Sequence, residues 1–364
     1  MNTATEQSKY PKEVFFLGSG ASALAGVPTF SNFYEKAKDI CKTKLISDES
    51  NKQFEYILKY WKKNYDKCNI EEFYSEVEMR EMLVNDINER VEGSITTNKI
   101  EHFIYATINK SIEQDNYEHR RTYRLFSEKV TNKSVIITTN WDFLFETSSY
   151  HNLENGGINY LFEYPDEKIA LDDSEQRFSV LKLHGSLNWG FCNICERIYL
   201  FNETVDDKLF NNELSCNKNN CKGTLSLIIV PPKLSKLIKP ETNDIKKSPY
   251  LYLHKIWSKA SEYVNNCESL YFIGYSFPET DTQMKTFFSN ALRDHNNLKE
   301  IKVISNPKNG NSKIEFEERY ISIFSRFINP SKIVFYYKGF KEFCNELDEY
   351  RLRHPPRQAG IESW

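Results

Sequence analysis

The stretch Phe15-Phe16-Leu17-Gly18-Ser19-Gly20-Ala21-Ser22-Ala23-Leu24-Ala25-Gly26-Val27-Pro28 decides how the rest of the chain is read. Its apolar lead, Val14 to Leu17, reads as a short buried strand. Small residues follow at once, as a tight turn requires. Gly18-x-Gly20-x-x-Ala23 fits the glycine pattern of a dinucleotide-binding strand–turn–helix, in which backbone N–H groups and a helix N-terminus face a pyrophosphate. The helix is expected from about Ala21. The pattern is short, and a turn that only packs a helix against a sheet satisfies it too.

Four segments downstream share one design. Residues 135–142, Val-Ile-Ile-Thr-Thr-Asn-Trp-Asp, are a strand ending in polar groups, and residues 180–189 place His184-Gly185 at a strand end. Residues 270–276, Leu-Tyr-Phe-Ile-Gly-Tyr-Ser, form a fourth such strand and Ile301 to Asn306 a fifth. In an open parallel sheet, ligands bind outside the carboxyl ends of the strands. Five strands delivering Gly, Asn, Asp, His or Ser there describe one crevice. The expected class is α/β: a Rossmann-like parallel sheet with helices on both faces, an inserted helical module and a small zinc-binding module.

The boundaries follow from composition. A main domain is expected over 12–349, with its core at about 12–49, 131–185 and 224–349. Residues 50–130 are charged and aromatic and space apolar residues at three and four, as in Phe54 to Trp61, which reads as a helical insertion whose aromatic stripe is packing core. Residues 186–223 form the metal module. The sheet then resumes at Thr224 to Val230, a helix is expected over Tyr250 to Asn265, and Ile333 to Tyr337 reads as one more strand. The first eleven residues read as a flexible arm, and 350–364 as a basic, proline-bearing, extended tail.

A chain of 364 residues can bury a large core. Its net charge of −3 offers no polybasic footprint, so direct nucleic-acid binding is not expected. No apolar run approaches the ~18–20 residues that span a bilayer. The N-terminal residues lack the apolar core of a signal peptide, so a cytoplasmic location is expected. Of eight cysteines, Cys41, Cys68, Cys267 and Cys344 are scattered and read as inert thiols. The others form Cys192-x-x-Cys195 and Cys216-x-x-x-x-Cys221. Two thiolate pairs about twenty residues apart suit a structural, tetrahedral Zn2+ site. Loop cysteines that hold no metal are the alternative.

Taken together, Gly18 to Phe30, Thr139-Asn140-Trp141-Asp142, His184-Gly185, the four-cysteine cluster, Gly274-Tyr275-Ser276 and Ser305-Asn306 resemble the sirtuin superfamily, in its order and over roughly residues 12–310. Sirtuin deacylases usually continue the first motif as Pro-Asp-Phe-Arg, where this chain has Pro28-Thr29-Phe30-Ser31. The Asn-Ile-Asp motif has become Asn140-Trp141-Asp142. The phenylalanine-glycine-glutamate substrate loop is replaced by Ile229-Val230-Pro231-Pro232-Lys233. These departures resemble the bacterial sirtuin-like branch that hydrolyses NAD in antiviral defence. That resemblance implies NAD as substrate and a triggered, abortive-infection role. It also implies a homo-oligomer or a regulatory partner such as a HerA-type ATPase, since the chain has no Walker motif of its own.

Cleaving the nicotinamide–ribose bond expels a neutral base and leaves an oxocarbenium-like sugar. Glycines and small residues let the backbone approach the pyrophosphate, which points to Gly18, Ser19, Gly20, Ala21 and Ser22, and the resemblance implies that Pro28 and Phe30 join them at the nucleotide. Asn140 offers a donor and an acceptor for a water and a ribose hydroxyl, and His184 can take a proton. The resemblance implies that Asp142 binds the nicotinamide amide. Gly274, Ser276 and Asn306 would line the adenosine half. Plainer roles compete: Asn140 as the cap of a helix starting near Trp141, Asp142 as a helix-dipole partner, His184 as a strand-end residue, and Ser276 and Asn306 as loop caps. A redox Rossmann enzyme would need an acidic residue about twenty positions on at a strand end. Asp39 has the distance but sits in a helical pattern. Three functions stand: an NAD glycohydrolase, an NAD-dependent protein-lysine deacylase, and a silent NAD or ADP-ribose sensor.

Overall fold

The computed structural model describes residues 10–43, 46–83, 95–113, 117–130, 134–149, 158–160, 178–201, 209, 213–231, 250–307 and 311–353. Most of the expected N-terminal arm, Pro232 and Lys233 of the replaced loop, and the tail beyond residue 353 lie outside them.

Apolar runs become the strands of a parallel sheet. They are β1 (Glu13–Leu17), β2 (Ser134–Thr138), β3 (Ile158–Asn159), β4 (Phe178–Lys182), β8 (Ser269–Ile273), β9 (Glu300–Ile304) and β10 (Ile333–Tyr336), with order β10-β9-β8-β1-β2-β4-β3. All their pairings are parallel. Val14, Phe15 and Phe16 of β1 are fully buried, as are Ile136 and Ile137 beside them. Continuous apolar strands are what a sheet covered on both faces requires. The chain builds outward from β1 to one side, through β2 and β4, and later to the other, through β8, β9 and β10. The strand order therefore reverses beside β1, the point where such sheets form a ligand crevice.

A second sheet is antiparallel, of order β6-β5-β7, from β5 (Gly185–Cys192), β6 (Ile198–Leu200) and β7 (Leu225–Ile229). This corrects the expectation that Thr224 to Val230 return to the main sheet. β7 pairs antiparallel with β5 instead, so the sheet that carries Cys192 extends to Ile229. The bend from β4 into β5 falls at Gly185, whose φ of +78° is left-handed and whose Cβ would sit 1.9 Å from the Ile228 carbonyl oxygen. Only glycine fits there.

After β1 the helix starts at Ser19, two residues before the expected Ala21: α1 (Ser19–Ser22) passes into a 3₁₀ turn, Ala23–Ala25, and Gly26 ends it with φ +77°. The helical region holds α2 (Phe33–Lys42), α3 (Asp48–Asn64), α4 (Ile70–Leu83), α5 (Thr97–Glu113) and α6 (Tyr117–Lys129). Its aromatic stripe packs inward. Trp61 stacks on Phe73 at 4.6 Å between ring centres, and Phe54 meets Phe103 edge-on at 5.2 Å. The remaining helices are α7 (Leu144–Ser149), α8 (Tyr250–Asn266), α9 (Thr282–Ala291), α10 (Asn311–Phe324) and α11 (Gly339–Arg353). The last of these carries Arg351 to Arg353 in a helix where an extended tail was expected. Among the described residues no helix is long and apolar enough to cross a membrane.

Candidate active site

A cleft of about 350 Å³ opens at the carboxyl ends of β1, β2, β4 and β8. Ser19, Pro28 and Phe30 reach it after β1, Asn140, Trp141 and Asp142 after β2, His184 after β4, and Tyr275 and Ser276 after β8. Of the residues assigned to the nucleotide, Ser19, Pro28, Phe30, Asn140, Asp142 and Ser276 line this cleft with His184, whereas Gly18, Gly20, Ala21, Ser22 and Gly274 lie outside its lining. Asn306 is exposed and outside the cleft lining. Among the described residues no Lys or Arg lines it, and the formally charged lining groups are Asp142 and Asp281.

The glycine turn shapes the cleft from behind. Gly18 N–H donates to the Ile273 carbonyl at 2.9 Å, Gly20 N–H to the Gly274 carbonyl at 2.8 Å, and Ala21 N–H to the Gly18 carbonyl at 3.0 Å. These donors are therefore spent within the fold rather than presented to a phosphate. Ser19 is the turn residue that lines the cleft. Gly274 lies against the turn with φ +64°, and a Cβ there would come within 2.2 Å of the Ala21 nitrogen. The two motifs fit because both are glycine.

Asn140 is not a helix cap. The helix after β2 starts at Leu144, and the Asn140 side chain turns back to β1. Its Nδ2 donates to the Gly18 carbonyl at 2.9 Å and to Ser22 Oγ at 3.1 Å. A carbonyl only accepts, so this pairing fixes which end of the amide is nitrogen. Both donors are occupied, and what Asn140 retains for a ligand is its amide oxygen. Ser22 is fully buried, and its Oγ lies 3.4 Å from the hydroxyl of Tyr123 on α6. Burial, reinforced by the charge of Asp142, holds the Tyr123 phenol far above its ordinary value, so it stays a hydroxyl.

The segment carrying His184 holds the Asn140 loop. Leu183 N–H donates to the Thr138 carbonyl at 2.9 Å, Leu187 N–H to the Trp141 carbonyl at 2.9 Å, and Ser186 Oγ to the same carbonyl at 3.2 Å. Lys182 Nζ donates to the Asp142 carbonyl at 2.5 Å. His184 is buried beside the Trp257 ring, and its carbonyl accepts from Val230 N–H at 2.9 Å. The Asp142 Oδ1 accepts from Leu144 N–H at 3.3 Å, at the start of α7, so this residue serves the helix end while its carboxylate borders the cleft. Trp141 Nε1 is buried and meets no acceptor among the described residues.

The helical region supplies a wall that composition alone did not reveal. Asn69, Ile70, Ile104 and Ile108 line the cleft opposite the strand ends. The Asn69 side chain accepts from Glu71 N–H at 2.9 Å and Glu72 N–H at 3.0 Å, capping α4. The buried Glu71 accepts from Thr280 Oγ1 at 3.0 Å, which ties this wall to the loop after β8. In that loop Tyr275 donates to Asp281 Oδ2 at 2.5 Å, and its carbonyl accepts from the Tyr320 hydroxyl at 2.6 Å.

Cys192, Cys195, Cys216 and Cys221 bring their Sγ atoms within 4.8 Å of one another. The Cys192–Cys221 and Cys195–Cys216 separations are 3.6 and 3.7 Å. A tetrahedron with Zn–S bonds of about 2.3 Å has edges of about 3.8 Å, so the donor set and its spacing fit a closed zinc site. Burial pushes the Cys192 thiol up to about 12. At Cys216 burial acts in the same direction but is outweighed by hydrogen bonds from the Tyr199 hydroxyl and Lys218 N–H, which bring it down to about 6.

A family model described as the SIR2-like domain matches residues 134–324, just over half of the chain. The match starts at β2, so the glycine turn and the helical region precede it. No curated protein sequence matches. Among solved structures, a Sir2 homologue in complex with NAD is 13% identical, with a TM-score of 0.45, over 94% of this chain and 90% of that one. A Sir2 homologue mutant in complex with ADP ribose gives 13%, 0.45, 94% and 93%, and Sir2Tm bound to a propionylated peptide gives 12%, 0.41, 94% and 94%. All three similarities are too distant to bear on substrate or chemistry.

Proposed function

The chain belongs to the SIR2-like domain family, and from that premise we propose that it is an NAD+ glycohydrolase, cleaving NAD to nicotinamide and ADP-ribose with water as acceptor. The observation that carries this reading is the meeting of Asn140, Asp142 and His184 on one cleft at the strand-order reversal. The volume, about 350 Å³, falls within the usual range of small-ligand sites.

In the proposed reaction the C1′–N bond breaks and its electron pair passes to the pyridinium nitrogen, so nicotinamide leaves neutral. A water oxygen bonds to C1′, and its proton passes to the His184 imidazole and then to solvent. The Asn140 amide oxygen accepts from that water or from a ribose hydroxyl, and the Asp142 carboxylate accepts from the nicotinamide amide. Ser19, Pro28 and Phe30 hold the nucleotide from the β1 side and Ser276 from the β8 side. Gly18, Gly20, Ala21, Ser22 and Gly274 act by shaping the wall. The four cysteines would hold a structural Zn2+ whose closed thiolate set leaves no position for a reacting water.

Deacylation is the rival within this family. Against it stand Thr29 and Ser31, where deacylases carry Asp and Arg. Thr29 N–H and Oγ1 both donate to Asn32 Oδ1, at 2.7 and 3.0 Å, which closes the turn on itself. Pro231 borders the cleft where the acyl-peptide loop would lie. A silent sensor would have no need of the Asn–His pair. The proposed setting is cytoplasmic antiphage defence by NAD depletion, with the chain restrained until an oligomer or a partner such as a HerA-type ATPase releases it.

Incubating the protein with NAD, alone and with the products of neighbouring genes, with and without acyl-lysine peptide, separates these readings. Hydrolysis predicts nicotinamide and ADP-ribose without peptide. Cleavage confined to peptide-containing samples, with O-acyl-ADP-ribose as product, establishes a deacylase.

A further inference from the structure

Lys182 is 1% exposed, at the carboxyl end of β4 beside the edge strand β3, and no role assigned above uses its charge. Its ammonium donates to two acceptors, the Asp142 carbonyl at 2.5 Å and Glu146 Oε1 at 3.1 Å. Glu146 is nearly as buried, with 9% of its side chain exposed, and its Oε1 also accepts from the Tyr160 hydroxyl at 3.4 Å. Burying an ion pair costs the hydration of both charges, and apolar replacements of similar volume are often as stable or more so. Stability alone is therefore a poor reason for a lysine at this position.

The surroundings supply a better one. Behind the loop after β2 lies a void of about 10 Å³, lined among others by Thr138, Asn140, Asp142, Glu146 and Tyr123. A gap that small has room for about one water, and the loop beside it is held by hydrogen bonds to the segment after β4. Residues 182–187 grip the carbonyl of Thr138 at the end of β2 and two carbonyls of the loop, those of Trp141 and Asp142, and the grip on Asp142 is the Lys182 side chain.

We propose that Lys182 is a positioning residue: its ammonium clamps the Asp142 carbonyl and so sets the loop that presents Asn140 and Asp142 to the cleft, while Glu146 Oε1 accepts a second hydrogen bond from the same nitrogen, one that a glutamine oxygen can accept as well. The role of the loop in turnover rests on the hydrolase reading; the clamp itself does not.

The test compares Lys182→Met/Glu146→Gln, which removes both charges together, with Glu146→Gln, which leaves the Lys182 nitrogen able to donate. Three quantities are read in the full chain: melting temperature, amide hydrogen exchange over residues 139–145, and NAD turnover. The double variant is expected to melt within a few degrees of wild type. Its loop amides should exchange at least about tenfold faster, and kcat should fall at least about tenfold with KM changed less than about threefold. Glu146→Gln should stay within about threefold of wild type in exchange and kcat. A double variant with wild-type exchange overturns the clamp. So does Glu146→Gln if its loop loosens about tenfold, an outcome that can be read even where the double variant does not fold. A wild-type chain that never cleaves NAD ends the hydrolase reading, and the exchange comparison still decides the clamp.

Discussion

Asn140 Nδ2 donates to the Gly18 carbonyl oxygen at 2.9 Å, joining the loop after β2 to the turn after β1. The first glycine of the turn thus acts through its carbonyl, on the side chain proposed to hold the attacking water. It follows that Asn140→Asp should rescue little relative to Asn140→Ala. A carboxylate has the size of the amide but no donor for Gly18 or Ser22. Each loss of a transition-state contact of this kind typically costs ~2–4 kcal/mol, or roughly two to three orders of magnitude in rate. Steady-state NAD turnover of both variants, with melting curves to confirm folding, checks this; near-normal turnover by a folded Asn140→Ala protein removes the assigned role.

His184→Ala should likewise abolish turnover while Cys267→Ala leaves it intact. His184 borders the cleft, whereas Cys267 is fully buried in the core with its Sγ against the Val264 carbonyl at 3.3 Å. Burial pushes the Cys267 thiol up to about 12, so it stays protonated and unreactive at neutral pH. Comparing kcat/KM of the two variants tests the distinction.

Gly274→Ala should be among the most damaging single-methyl additions. The left-handed backbone costs a residue with a Cβ ~1–2 kcal/mol before any clash is counted. Here the added carbon would meet the Ala21 nitrogen at 2.2 Å and Gly20 carbon at 2.4 Å. A loss of at least about 2 kcal/mol in denaturant unfolding is expected, with NAD affinity falling as the turn is pushed away. A variant of wild-type stability would show that the turn is looser than its hydrogen bonds indicate.

One zinc per chain is expected in metal analysis of the purified protein. Removing it with a chelator, or replacing Cys195 with Ser, should lower the melting temperature more than the turnover of protein that remains folded. β5 runs from Gly185, next to His184, to Cys192, one of the four proposed ligands, so metal binding would brace the site from outside it. Substoichiometric metal in well-folded protein would remove the structural role.

Much of the site is readable from residue order. Gly18, Asn140, His184 and Gly274 stand where strand-end polar or glycine residues converge, because a parallel sheet aligns its carboxyl ends. Thr224 to Val230 reads as a return to the main sheet because its apolar content suits either sheet, and the strand that decides between them, β5, lies 33 to 44 residues back in the chain at the paired positions Cys192–Leu225 and Gly185–Ile229. Lys182 carried no signal either, since a lysine within a strand ordinarily reads as solvent-facing. Ile70, Ile104 and Ile108 share the helical periodicity of the core residues around them, so a cleft wall and a packed interface look alike in sequence. The short α1 was hidden because Ala23-Leu24-Ala25 has good helix propensity, and Gly26 with Pro28 beyond it halts the helix sooner than propensity suggests.

The most direct measurement of the central claim is the mass-resolved product balance from NAD, without any acyl-lysine peptide, for wild type and Asn140→Ala within the assembled complex. Wild type should release nicotinamide and ADP-ribose in equal amounts, and the variant should do so at a rate at least about a hundredfold lower. No nicotinamide release from the assembled wild type, or equal rates from the two proteins, would contradict it.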